Sequence, residues 1–246
     1  MMDFIRQEHW DKSYEKIKIT IASENDTIRR LIENSIPNVS GTKSMVEIGC
    51  FPGRYMFVFG EKGYELNGMD TTPRVNELQE VLRQEGFKVG SIEQEDFFTY
   101  CSKKFDVVCS FGFIEHFTDF LSVIEKHLDL VKDEGYVLIT APNFRGVFQY
   151  LYHTLFDREN LKQHNVKSMR PYLWKKCIAS KGFEIISCGF MGNERWKEKP
   201  NTNLFMKLVE IAIIRLMKIS CFLFPKNSWA CGHCFVFAKK STRINA

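Results

Sequence analysis

The chain has no block of charge of one sign. Its 34 Lys and Arg residues are interspersed with 30 Asp and Glu, for a formal net charge of +4. Electrostatics alone therefore indicates no nucleic-acid partner, and a small or neutral ligand is the better expectation. No secretory leader is expected: MMDFIRQEHWDKSYEK carries charges where a signal needs an apolar stretch of roughly 7 to 15 residues, and the expected compartment is the cytoplasm. The eight cysteines form no framework. They are scattered, several within apolar strand-like runs, as buried free thiols are in a reducing compartment. Cys231-Gly232-His233-Cys234 has C-x-x-C spacing, but it runs straight into the apolar Phe235-Val236-Phe237-Ala238 and has no second ligand pair, so it reads as the start of a strand. No cluster of Asp, Glu and His has recognisable ligand spacing either, and no metal is expected. Internal repeats and low-complexity segments are absent.

What remains is an ordinary core-forming chain of 246 residues, 44% hydrophobic. It can bury one large core with an inserted cap and is too short for two full α/β domains. Residues 8 to 38 read as two helices, the second with Ile28, Leu31, Ile32 and Ile36 on one face, Asn25 or Asp26 as cap and Pro37 as stop. From Met45 the pattern alternates: strand to Gly49, helix Arg54 to Glu61, strand Leu66 to Asp70, helix Val75 to Glu85. A short strand at Phe87 to Ser91 follows, then Phe105 to Phe111, a helix from Asp119 to Val131, and Tyr136 to Thr140. Phe183 to Cys188 and Cys234 to Lys239 supply a sixth and a seventh strand. This spacing predicts an α/β, doubly wound, mostly parallel seven-stranded sheet in a single domain. Residues 1–40 form a helical N-terminal cover, 41–143 the ligand-binding core, 144–182 a cap inserted after strand five, and 183–240 the last two strands. Between those strands, 204–224 is apolar but carries Lys207, Glu210, Arg215 and Lys218, which at 100° per residue share a face. It reads as an amphipathic helix packed on the protein or on a second subunit, ahead of binding at a membrane surface, and not as a membrane span.

In such sheets ligands bind beyond the carboxyl ends of the strands. Glu47 stands near the end of the first strand, and Gly49 and Gly53 bracket the turn that follows, where they allow close approach of backbone to ligand and expose amides at a helix start. Asp70 ends the second strand and can accept both hydroxyls of a ribose; singly, each signal also fits a plain turn or a helix cap. Phe51 occupies the middle place of what would be G-x-G-x-x-G, and no third glycine follows at the required spacing. That disfavours pyrophosphate and leaves a ribose ligand without phosphates.

Glu47-Ile48-Gly49-Cys50-Phe51-Pro52-Gly53 resembles the first motif of the class I S-adenosylmethionine-dependent methyltransferases. Trp10-Asp11-Lys12-Ser13-Tyr14 is similar to that family's leader, Glu95-Asp96-Phe97 to its adenine-side segment, and Phe105 to Phe117 to its fourth-strand motif, with an ending like that of members acting on small molecules and glycans. The resemblance runs from about Trp10 to Lys239 and implies S-adenosylmethionine as cofactor. Glu47 and the Gly49–Gly53 turn with Phe51 would face its methionine part, and Asp70 with Thr71 its ribose. Asp96 and Phe97 would face the adenine, Phe111 and Gly112 would line the sulfonium end, and Tyr14 would touch the cofactor from the cover.

Methyl transfer needs alignment, exclusion of water and, for a hydroxyl acceptor, a base. Histidine titrates in the right range, and His116, after the fourth strand, and His164, in the cap, are the candidates. The expected reaction is methylation of a hydroxyl or amine on a small metabolite or saccharide, without nucleic acid and with a homodimer through 204–224 as a possible assembly. A non-catalytic interaction module and a nicotinamide-dependent oxidoreductase are the competing functions, the latter short of glycines.

Overall fold

In the computed structural model residues 14–101, 103–192 and 203–241 are described. The segment Met45-Val46-Glu47-Ile48 is buried throughout, as a central parallel strand must be. This strand, β1 (Ser44–Ile48), pairs in parallel with β2 (Glu65–Asp70) on one side and β4 (Phe105–Phe111) on the other. β3 (Val89–Gln94) extends the sheet beyond β2, and β5 (Val131–Pro142) lies beside β4. β7 (His233–Lys240) runs antiparallel between β5 and β6 (Phe183–Met191). The seven-stranded order β3-β2-β1-β4-β5-β7-β6 is the doubly wound, mostly parallel sheet expected from the alternation.

Helices cover both faces. On one side α1 (Thr27–Ser35), α2 (Met56–Glu61) and α3 (Val75–Gln84) bury Ile32, Phe59 and Leu78. On the other, α4 (Phe120–Asp129) and α7 (Pro171–Ser180) bury Ile124 and Trp174. The cap is helical, with α5 (Val147–Phe156) and the short α6 (Arg158–Lys162) between β5 and α7, and α8 (Leu204–Leu223) connects β6 to β7. Asp26 is the cap of α1, accepting from the amides of Ile28 and Arg29 at 2.9 and 3.0 Å.

Several boundaries differ from expectation. The third strand begins at Val89 instead of Phe87, because the Phe87 amide closes α3 on the Leu82 carbonyl and its ring packs edge-on against Phe57. The fourth helix stops at Asp129 and the fifth strand starts at Val131, which pairs with Phe105 ahead of a register shift. The first of the two N-terminal helices is described only from Tyr14 on, and there it is not formed: 15–26 run as turns and irregular chain. In α8 the four charged residues do not share a solvent face. Glu210 is buried and bonded to the Tyr152 hydroxyl at 3.2 Å, because this side of the helix packs on α5. Cys234 lies in β7 with its sulfur on the Ala141 carbonyl, and burial pushes its thiol well above the ordinary range, as the strand reading of C-x-x-C required.

Candidate active site

β1 ends one residue short of Gly49, whose φ of +69° is the left-handed region that favours glycine. The amides of Gly49 and Cys50 both donate to the Met69 carbonyl, at 2.9 and 3.2 Å, which ties the turn to β2. No side chain fits at Gly49: a Cβ would lie 2.7 Å from the Phe113 ring. Asp70, 7% exposed at the end of β2, holds two turns at once. One carboxylate oxygen accepts the Phe51 amide and the other the Thr72 amide, each at 3.1 Å.

Phe51 has a structural task. Its ring meets the Tyr14 ring at 5.0 Å, and the Arg74 guanidinium lies 4.6 Å from its centroid. Arg74 in turn donates to the carbonyls of Tyr14 and Ile17. The phenylalanine thereby fastens the segment of Tyr14 and Ile17 over the strand ends.

These turns enclose a cavity of about 520 Å³. Gly49 and Phe51 line it from the first turn, Asp70 and Thr71 from the second, and Tyr14 from the cover. Asp96 and Phe97 enter from the segment after β3, Phe111 from the end of β4, and Gly112 and His116 from the segment after it. Three expected site residues are not on the wall. Glu47 sits beneath it among Cys50 and Cys109, with its carboxyl held well above the usual carboxylate range by burial and then by the nearby Asp70 charge. Gly53 faces α3, where a Cβ would lie 2.3 Å from Leu78 Cδ1, so that glycine serves packing. His164 stands behind His116, with ring centroids 4.7 Å apart. Sequence reasoning missed Phe98, Phe113 and Phe117, which add aromatic wall. The recurrence of phenylalanine at 111, 113 and 117 was the available signal.

His116 occupies a single 3₁₀ turn, Ile114–His116, and is 7% exposed. Its Nδ1 lies 3.4 Å from the Gln163 carbonyl and its Nε2 3.9 Å from Glu115 Oε1. Burial raises the Glu115 carboxyl to about 8, and its other oxygen has no hydrogen-bond partner. Burial lowers His164 to about 4, and its Nδ1 meets the Asn160 carbonyl at 2.7 Å. Glu115, His116 and His164 bring ligand atoms within 4.8 Å of one another, so among the described residues these three could hold a metal ion. The sequence conceals that grouping because 47 residues lie between His116 and His164.

Residues 22–187 match the family model for a methyltransferase domain. The chain belongs to the methyltransferase family. Its sheet is that of class I S-adenosylmethionine-dependent methyltransferases, and three solved structures illustrate the likeness. A SAM-dependent methyltransferase from Archaeoglobus fulgidus aligns over 87% of this chain and 93% of its own, at 19% identity and a TM-score of 0.56. The N-methyltransferase NodS from Bradyrhizobium japonicum, in complex with S-adenosyl-L-homocysteine, aligns over 87% and 84% at 8% identity and 0.53. Magnesium protoporphyrin IX methyltransferase from Synechocystis, with bound SAH, aligns over 87% and 80% at 12% identity and 0.56. No curated protein matches the chain.

S-adenosylmethionine is the methyl donor of a methyltransferase with this fold, and the residues present suit it. Asp70 offers an acceptor for paired hydroxyls, Asp96 an acceptor for an exocyclic amine, and the phenylalanine wall a slot for a flat ring. The left-handed glycines at 49 and 112 keep side chains out of the space beyond β1 and β4. Among the described residues, His116 is the one histidine on the cavity wall and a candidate for proton transfer.

Proposed function

We propose that the methyltransferase acts on a hydroxyl or amine of a small metabolite or saccharide, with His116 as general base and His164 positioning it. The observation that carries this reading is His116 on the wall beside Gly112, where the sulfonium end belongs. Among the described residues the wall has three acids, Asp70, Glu95 and Asp96, against one fully basic side chain, Arg54. That balance repels a phosphate backbone and suits a neutral or cationic acceptor. Aromatic rings around His116 suit stacking on a sugar face.

Bound S-adenosylmethionine supplies a methyl group on a good leaving group, and transfer is an in-line displacement at carbon. The chain supplies the rest. Asp70 and Asp96 orient the nucleoside, the cover held by Phe51 and Arg74 excludes water, and His116 takes the acceptor proton on its Nε2. The Gln163 carbonyl beside Nδ1 favours the tautomer with its proton there.

The test compares His116→Ala with the parent on a panel of hydroxyl and amine acceptors. Turnover is expected to fall by about 10²–10⁴ while affinity for S-adenosylhomocysteine stays unchanged. Equal losses in both would remove the base role. A chelator is expected to leave turnover intact; its loss, restored by a divalent cation, would transfer activation of the acceptor to a metal held by Glu115, His116 and His164.

A further inference from the structure

α8 is turned inside out relative to a surface helix of a freely soluble domain. The face packed on α5 is narrow, with Glu210, Ile213 and Met217 buried. The large apolar side chains point the other way: Phe222 is 84% exposed and Leu204 73%, and Phe205, Leu208, Ile219 and Leu223 are exposed with them. α5 adds exposed Val147, Leu151 and Leu155, and no residue of Val147–Phe156 is an acid, a lysine or an arginine. Apolar area of this extent is rare on a monomer and marks a docking surface.

Charge identifies what it docks on. The one acid of α8, Glu210, is turned inward onto Tyr152. Every exposed charge on the helix is basic, at Lys207, Arg215 and Lys218, and Lys226 follows just beyond its end. At 100° per residue Leu208, Ile219, Phe205 and Leu223 lie within an arc of about 60°, Arg215 stands about 20° outside it beside Leu208, and Lys218 and Lys207 follow on that same side, about 80° and 100° from Leu208. A helix of 20 residues so arranged is about 30 Å long. Its flanking lysines can reach outward along their stems while the apolar arc enters an acyl boundary. A second copy of the chain suits this face poorly, since a two-fold contact sets each basic patch against its equal with no exposed acid on the helix to answer it. No described helix is long and apolar enough to cross a membrane, so the helix would lie flat.

We propose that the outer face of α8 docks the methyltransferase on an anionic lipid surface. α5, on which α8 packs, is linked through packed rings to the cavity wall. His153 of α5 stacks on Phe144 at 3.8 Å, Phe144 meets His164 at 4.8 Å, and His164 meets His116 at 4.7 Å. Docking stands on the helix alone and does not depend on which acceptor is methylated.

The experiment is co-sedimentation of the full chain with vesicles of phosphatidylcholine, or of equal parts phosphatidylcholine and phosphatidylglycerol, at low and high salt. Binding is expected only to the anionic vesicles. Lys207→Gln, Arg215→Gln and Lys218→Gln should each weaken it roughly fivefold, and Leu208→Glu with Ile219→Glu should abolish it. All five positions are exposed, so thermal unfolding of each variant should match that of the parent, which separates lost docking from lost folding. Failure to sediment with either vesicle, or sedimentation unaffected by the paired Glu variant, would overturn the proposal. A concentration-dependent dimer in light scattering that the paired variant dissociates would overturn it too, by assigning the face to a second copy.

Discussion

Phe51 shows how one residue can look like a defect in a motif and be part of its construction. In a glycine-rich turn its bulk disfavours a pyrophosphate, yet its amide is held by Asp70 and its ring by Tyr14 and Arg74. The turn trades a glycine for a fastening of the cover. Gly53, two residues on, cannot make that exchange, because its φ is +76° and Leu78 leaves no room for a Cβ. Gly53→Ala is therefore expected to cost about 2–4 kcal/mol from overpacking and left-handed strain combined, read as a shift in urea midpoint. The same substitution at Gly86, left-handed but with open space around it, should cost about 1–2 kcal/mol. Equal costs at the two positions would show that backbone strain, not Leu78, decides.

At the scale of elements, β4 and α4 are joined by a buried histidine that the chemistry does not use. His127 on α4 reaches Ser110 of β4 with Nε2 at 3.0 Å, while Nδ1 donates to the Val123 carbonyl at 2.7 Å. Burial lowers its pKa to about 4, against an ordinary value of about 6.5. The folded state resists the proton that the unfolded chain accepts, so the neutral ring's stabilisation is complete above pH ~6.5 and is lost as pH falls toward ~4. The loss should reach about 2 kcal/mol at pH 5. Urea unfolding at pH 7 and pH 5 measures it. His127→Gln, destabilised at pH 7, should show a pH dependence flatter by that amount, and an unchanged slope would place the acid sensitivity elsewhere. Element boundaries were less legible than element types. β5 begins five residues early because Val131 finds a partner in Phe105, and Phe87 is drawn from strand to helix cap by Phe57. Both are pairings across the fold that local spacing does not contain.

For the whole molecule, the strand order puts the site where the sheet reverses direction of growth, between β1 and β4, with the two turns after them facing one cavity. Ligand there bridges β1, β2, β4 and the cover, so binding should stabilise the entire fold. At a concentration a hundred times its dissociation constant, S-adenosylhomocysteine is expected to add about 2.7 kcal/mol, or about 5–10 °C in Tm for a chain of this size. Asp70→Ala should abolish the shift, and NAD should produce none. The sequence by itself determined the alternation of strands and helices, the glycine turn after β1 and the acids at the strand ends, because these follow from hydrophobic period and from residues adjacent along the chain. Only the tertiary structure decided that Glu47, Gly53 and His164 stand behind the cavity wall, and that Glu115, His116 and His164 converge. It alone turned the acid of α8 inward and its apolar side chains out. Each of those outcomes is set by which face of an element meets a partner distant in sequence, and helical or strand periodicity defines the faces of an element without saying which one will be covered.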